Sequence, residues 1–172
     1  TLEALFRGLL MPSIHLGAFE LRRRIGTGGM GEVWLAEHAV NGKPVAIKTV
    51  HLRNDDDQQM GHRFVAEVQA VARLSHPNIV GIHDFGVIST EAAENSLGVL
   101  QAHAPWFAME YCAHGDLVTT RPTDWRGMHA ILSSVLQALA LTHANGVLHR
   151  DLKPGNVLIG SAADGGTQYK LA

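Results

Sequence analysis

A single cysteine, Cys112, stands among the 172 residues, which excludes an internal disulfide or a cysteine-built zinc cluster and suits a reducing, cytoplasmic setting. Charge of one sign is also lacking: 14 Lys and Arg against 16 Asp and Glu leave a formal net charge of −2, so no basic field invites nucleic acid. No apolar run approaches the roughly 20 residues that cross a bilayer. The run at residues 5–10 is too short and lacks a signal-peptide cleavage pattern. The 11 histidines include neither an HExxH pair nor a tight group with carboxylates, so they read as solvated or structural rather than metal-binding. Repeats and long polar tracts are absent. With 46% apolar and 17% charged residues, the chain can bury one sizeable core, or a small lobe and part of a larger one.

Three short β-patterned runs, at 19–25, 32–38 and 44–50, are separated by a glycine-rich stretch and by Asn41-Gly42, which predicts three successive antiparallel strands. Apolar Met60, Phe64, Val68, Val71 and Leu74 recur at close to helical spacing, predicting an amphipathic helix over 58–74 that Ser75-His76-Pro77 stops. Residues 79–87 and 106–109 read as two further strands, joined by a long Ala-, Glu- and Ser-rich connection expected to run over the surface. Asp124 is placed to cap a helix with the face Trp125, Met128, Ile131, Leu132, Val135, Leu136 and Leu139, ending near Asn145-Gly146. A last hairpin is expected from 156–159 and 168–171 around the turn Ala163-Asp164-Gly165-Gly166. The expectation is an α+β chain: a small antiparallel sheet with one helix, then a mainly helical segment.

Gly26-Thr27-Gly28-Gly29-Met30-Gly31 contains GxGxxG, which by itself fits a dinucleotide site, a phosphate-covering flap or an ordinary flexible turn. A dinucleotide site needs a helix directly after the glycines. Glu32-Val33-Trp34-Leu35-Ala36 continues instead as a strand, so a flap whose backbone amides approach an anion fits better. Val45-Ala46-Ile47-Lys48 puts an ammonium inside an apolar strand, which is costly unless a partner or anion meets it, or unless the strand is an edge from which the lysine snorkels. Glu67 follows nineteen residues later on the predicted helix, either as a solvated residue or as the carboxylate that holds Lys48 toward phosphates. The run His149-Arg150-Asp151-Leu152-Lys153-Pro154-Gly155-Asn156 places a carboxylate, a cation and an amide on one short loop. Phosphoryl transfer needs an acceptor for a hydroxyl proton, a positive charge beside the phosphate and oxygen ligands for magnesium. Asp151, Lys153 and Asn156 can fill those roles, although singly Asp151 and Asn156 also suit turns.

In this order, and together with His76-Pro77-Asn78-Ile79-Val80 and Met109-Glu110-Tyr111, the motifs resemble the protein kinase family over residues 16–172. Lys153 resembles the Ser/Thr branch, and the wording around Gly26 is similar to bacterial kinases of eukaryotic type. The resemblance implies a protein-kinase-like fold: an extension at 1–15, a complete small lobe at 16–110, then the hinge and only the first part of the helical large lobe at 111–172. It implies ATP and Mg2+ as cofactors and transfer of the γ-phosphate to a protein Ser or Thr, the alternative being a non-catalytic nucleotide-binding or scaffolding pseudokinase. Catalytic roles would fall to Asp151, Lys153, Lys48 and Glu67, and metal binding to Asn156. The phosphates would lie under Gly26, Thr27, Gly28, Gly29, Met30 and Gly31. Adenine would sit between Ile25, Val33, Ala46, Met109 and Leu158, bonded by the backbone of Glu110 and Cys112, with Asp116 at the ribose. Val71, Ile82 and His149 match a stacked regulatory core, and Arg150 resembles kinases switched by phosphorylation of their activation loop.

Two segments depart from that pattern: the connection between Val87 and Trp106 is longer than usual, and residues 117–124 are too short for the usual helix after the hinge. The metal-binding Asp-Phe-Gly motif would follow Ala172, and Asp164 reads as a turn former rather than its replacement. The expectation is therefore a domain cut just before that motif, with the face of the 125–145 helix uncovered and solubility poor. Purified 1–172 given ATP, magnesium and a generic protein substrate is expected to show negligible transfer, because charge stabilisation around the bound metal drives this reaction. Robust turnover in a radiolabel assay would refute that expectation.

Overall fold

The turn at Asn41-Gly42 forms as its sequence dictates: Asn41 Oδ1 accepts from Lys43 N at 2.9 Å, and Gly42 N and His38 N close the loop onto His38 O and Lys43 O. It joins two of the strands β1 (His15–Leu16), β2 (Phe19–Gly28), β3 (Gly31–His38) and β4 (Pro44–Val50). After β5 (Ile82–Val87) and the short helix α1 (Thr90–Asn95) comes β6 (Pro105–Glu110), and the six strands pair as one sheet in the order β1-β2-β3-β4-β6-β5. Every pair is antiparallel. The computed structural model describes residues 13–29, 31–52, 68–69, 71–162 and 164–172. Most of the helix expected over 58–74, including Glu67, and Met30 of the glycine run lie outside them.

Alternation along the strands puts Phe19, Ala36, Val45, Ile47, Trp106 and Ala108 into one buried cluster. The Trp106 indole lies against the backbone of Gly17 and Gly86, where an added Cβ would meet it at 3.0 and 3.2 Å. The sheet is thereby curled until its first turn and its last strand share one side chain.

The connection between β5 and β6 runs over the surface as expected, most of its residues being exposed, but it also anchors itself in the core. Ile88, Leu100 and Ala104 are buried in the same cluster as Ile47. Ile88 N donates to Ala104 O and His103 N to Ile88 O, both at 2.9 Å, which closes the segment into a loop that can turn its few apolar residues inward. Ser89 caps α1 by accepting from Ala92 N at 3.1 Å. The polar composition hid a small number of correctly spaced core residues.

The strand expected over 79–87 begins only at Ile82. Ile79 instead forms a parallel bridge with Leu171, Val80 N donates to Leu171 O, Leu171 N donates to Asn78 O, and Asn78 Nδ2 donates to Tyr169 O. These residues belong to the second part of the molecule, built from α2 (Trp125–Ala144) and a hairpin of β7 (Val157–Ser161) and β8 (Thr167–Leu171). Asp124 caps α2, accepting from Gly127 N at 2.8 Å, and Asn145 ends it. Ile131, Ala138 and Thr142 of α2 are buried, while Trp125, Met128, Leu132 and Leu136 from the predicted face stand exposed. Only part of that face meets the second cluster of Ile79, Ala138, Val157 and Leu171. Asp164 turns the hairpin, accepting from Gly166 N at 2.9 Å.

Ile88→Ala is expected to cost about 2–5 kcal/mol in a urea unfolding experiment, as for other buried large-to-small changes. A cost near zero would mean that Ile88 does not anchor the connection in the core.

Candidate active site

The glycine run turns between β2 and β3, with Thr27 opposite Glu32 and Gly28 opposite Gly31. Gly31 has φ +154, and a Cβ there would collide with the Thr49 carbonyl oxygen, so the start of β3 can press onto β4 only as glycine. An added Cβ at Gly28 or Gly29 would meet nothing within 4 Å, so this backbone is open to a ligand. β3 follows the turn directly. Among the described residues no helix N-terminus faces the glycines, and the strand that follows them does not fit the dinucleotide arrangement.

Lys48 lies in β4, a central strand flanked by β3 and β6 rather than an edge, opposite Val33 on one side and Phe107 on the other. Its Nζ is 6.0 Å from the centroid of the Phe107 ring. Burial, first of all, pushes the ammonium below its ordinary pKa; the Asp151 charge opposes this and the Lys153 charge adds to it. Glu67, the partner expected from the sequence, lies outside the described residues.

Across the cleft, the loop after α2 is tightly wound. Asp151 N donates to His149 O at 2.8 Å around Arg150, whose φ of 60 makes this the positive-φ form of the γ-turn. Such a backbone costs on the order of 1–3 kcal/mol in a non-glycine residue and gathers at functional sites. His149 Nε2 donates to Ala172 O at 2.7 Å, and Ala172 N donates to Asn156 O at 2.9 Å, so the residue that follows β8 braces the loop at both ends. Within it, Asp151 Oδ2 accepts from Lys153 Nζ at 2.7 Å and from Asn156 Nδ2 at 2.9 Å, and Asn156 Nδ2 also reaches Asp151 O at 2.7 Å. Hydrogen bonds from Lys153, then from Asn156, hold the Asp151 carboxyl below the usual carboxylate range.

These groups share one cleft of about 980 Å3. Its lining includes Ile25, Gly26, Thr27, Gly28, Gly29, Gly31, Val33, Ala46, Lys48, Met109, Glu110, Cys112, Asp116, Asp151, Lys153, Asn156 and Leu158, which is every residue proposed from the sequence for catalysis, nucleotide or metal except Met30 and Glu67. Val71 and His149 line it as well, while Ile82 opens β5. Ala46 and Met109 are register partners on adjacent strands, and Asp116 bridges to Leu158. Asp116 Oδ1 is committed to its own turn, accepting from Val118 N, Thr119 N and Thr119 Oγ1. Cys112 is half-buried, and that burial, ahead of the neighbouring Glu110 charge, pushes its thiol up to about 11.

Two contacts were missed in the sequence. Phe107 beside Lys48 gave no signal beyond being an apolar strand residue. Lys170 did: it sits between Tyr169 and Leu171 in a strand, the same pattern that singled out Lys48, and it is paired with Glu110 Oε2 at 2.8 Å.

A family model described as the protein kinase domain matches residues 19–172. The chain belongs to this family. This kinase domain is 38% identical over 151 residues to the serine/threonine-protein kinase PksC of Streptomyces coelicolor, covering 83% of the chain and 26% of that protein. It is 34% identical over 151 residues to the serine/threonine-protein kinase Pkn1 of Myxococcus xanthus, covering 87% of the chain and 20% of that protein. It is likewise 34% identical over 156 residues to the inhibitor of nuclear factor kappa-B kinase subunit beta of Rattus norvegicus, covering 87% of the chain and 19% of that protein. The α+β arrangement of a curled antiparallel sheet followed by a helix and hairpin is thus a kinase small lobe with part of a large lobe.

Because the folded pKa of Asp151 in this kinase domain is the lower one, the stabilisation is present above the ordinary carboxylate value and is lost as pH falls through the depressed one. A 13C NMR titration is expected to place the Asp151 midpoint below that of a solvated aspartate, and Lys153→Met should move it upward. An identical midpoint in both proteins would mean that the pair does not form in solution.

Proposed function

We propose that this chain is the ATP-binding part of a Ser/Thr protein kinase domain which, in the full-length protein, transfers the ATP γ-phosphate to a protein Ser or Thr. The observation that carries the reading is the convergence on one cleft of Lys48 from β4, the open glycine turn, and the Asp151–Lys153–Asn156 network. Residues 16–110 act as the small lobe in this reading, and residues 111–172 as the hinge and first part of the large lobe.

Ile25, Val33, Ala46, Met109 and Leu158 offer an apolar slot for adenine, and the backbone of Glu110 and Cys112 lies at its edge. The second oxygen of Asp116 is the one left for a ribose hydroxyl. Backbone amides of the glycine turn and the Lys48 ammonium meet the triphosphate, whose charge offsets the cost of burying that lysine. Asp151 orients the acceptor hydroxyl and takes its proton late, so a carboxyl kept ionised by its neighbours suits the task. Lys153, already beside Asp151, neutralises charge on the phosphate in transit.

Asn156 spends its amide nitrogen on Asp151, which leaves Oδ1 as an oxygen donor fit for a hard cation. Among the described residues no group of three His, Cys, Asp or Glu side chains could hold a metal, so magnesium here would rest mainly on phosphate and water oxygens. When bound it neutralises charge on the β- and γ-phosphates. The 172-residue chain by itself is therefore proposed to bind nucleotide better than it turns over. The alternative reading is a nucleotide-binding scaffold that transfers no phosphate. The half-buried free thiol of Cys112 suits the reducing cytoplasm in which this reading places the domain.

Calorimetric titration with MgATP should show binding by the chain, weakened by about tenfold or more in Lys48→Met. In the full-length protein, Asp151→Asn is expected to lower kcat by roughly 10²–10⁴-fold while leaving the KM for ATP nearly unchanged. Unchanged phosphorylation by the Asp151→Asn protein would leave the scaffold reading in its place.

A further inference from the structure

Lys170 is almost wholly buried, its side chain 9% exposed, and a buried ammonium demands a counter-charge. It finds one sixty residues away in Glu110 Oε2 at 2.8 Å, the last residue of β6 and the first of the stretch that spans the cleft wall. The same carboxylate oxygen lies 3.5 Å from Gly81 N, while Glu110 N donates to Gly81 O at 2.8 Å. Further along, the chain is fastened again: His114 N donates to Ile159 O, Ile159 N to Gly115 O, and Leu117 N to Val157 O, which lays residues 114–117 against β7. Tyr111 and Cys112, between the two fastenings, belong to neither strand nor helix. Their backbone conformation is therefore set by how the flanks are held. One flank is held by its bonds to β7, the other by the pairing of Glu110 with Val45 of β4, by Gly81 and by the ion pair.

We infer that Lys170 is a positioning residue for base recognition: through its ion pair with Glu110 it fixes the Glu110–Cys112 backbone in the orientation that adenine requires. This rests on the nucleotide-binding reading above. Lys170 does not line the cleft, so its effect passes through Glu110. Preorganising a binding segment raises affinity by sparing the ordering cost on binding, and it does so only for the part of the ligand that the segment touches. The base should feel the loss of Lys170, and the phosphates, held by Lys48 and the glycine turn, should not.

The test compares ATP with inorganic tripolyphosphate, both with magnesium, by calorimetry on the whole chain. Lys170→Met is expected to weaken ATP binding by about tenfold while leaving tripolyphosphate affinity within a factor of about two. Lys170→Arg should keep both affinities, and the exchanged pair Glu110→Lys with Lys170→Glu should restore most of the ATP affinity. Retained tripolyphosphate binding also shows that the variant folds. If the wild-type chain binds ATP and Lys170→Met binds it equally well, or if Lys170→Met loses both ligands alike, the positioning role is overturned while the nucleotide reading stands. If the unaltered chain binds no ATP, the nucleotide reading itself falls, and the role falls with it.

Discussion

β4 is the strand on which the rest of the molecule depends, because its two faces serve two different environments. Val45 and Ile47 point into the main core beside Trp106 and Ala108, while Ala46 and Lys48 face the cleft. A strand flanked on both sides cannot rotate to hide its lysine without expelling Ile47 from the core. The apolar cluster thus holds an ammonium where burial disfavours it. The energy that keeps this charge in the cleft comes from the packing on the opposite face.

The loop opposite follows a comparable logic with backbone instead of side chains. Arg150 sits in a disfavoured γ-turn, and the turn is what carries Asp151 round to meet Lys153 and Asn156. A restraint on it comes from the residue after β8, through His149 to Ala172 O and Ala172 N to Asn156 O. The loop's own hydrogen bonds are therefore backed from behind by the end of a two-stranded hairpin.

Local signals in the sequence located the early strands well. Asn41-Gly42 and the β-branched run at β4 are short-range features, and the observed Pro44–Val50 matches the expectation residue for residue. Of the cleft residues, Lys48 stood out as a lysine among valine and isoleucine, where burial makes it costly, and the 149–156 loop by the residue types it gathers; the apolar slot was named only through the family resemblance. Long-range competition was not legible. Residues 79–81 carry strand-like side chains, but β8, ninety residues on, claims the backbone of Asn78 and Val80. The polar composition of 88–104 hid Ile88 and Leu100, whose burial depends on a loop closure that no local pattern announces. Along α2 the period was right, but period alone does not say how much of an apolar face will be met by a neighbour.

The claim of β8 on residues 78–81 has a mechanical consequence. Among the described residues, the chain passes between the six-stranded sheet and the second cluster just before Ile82 and again just after Glu110. Those two passages lie side by side, joined by Glu110 N donating to Gly81 O, and the ion pair of Glu110 with Lys170 ties both of them to β8.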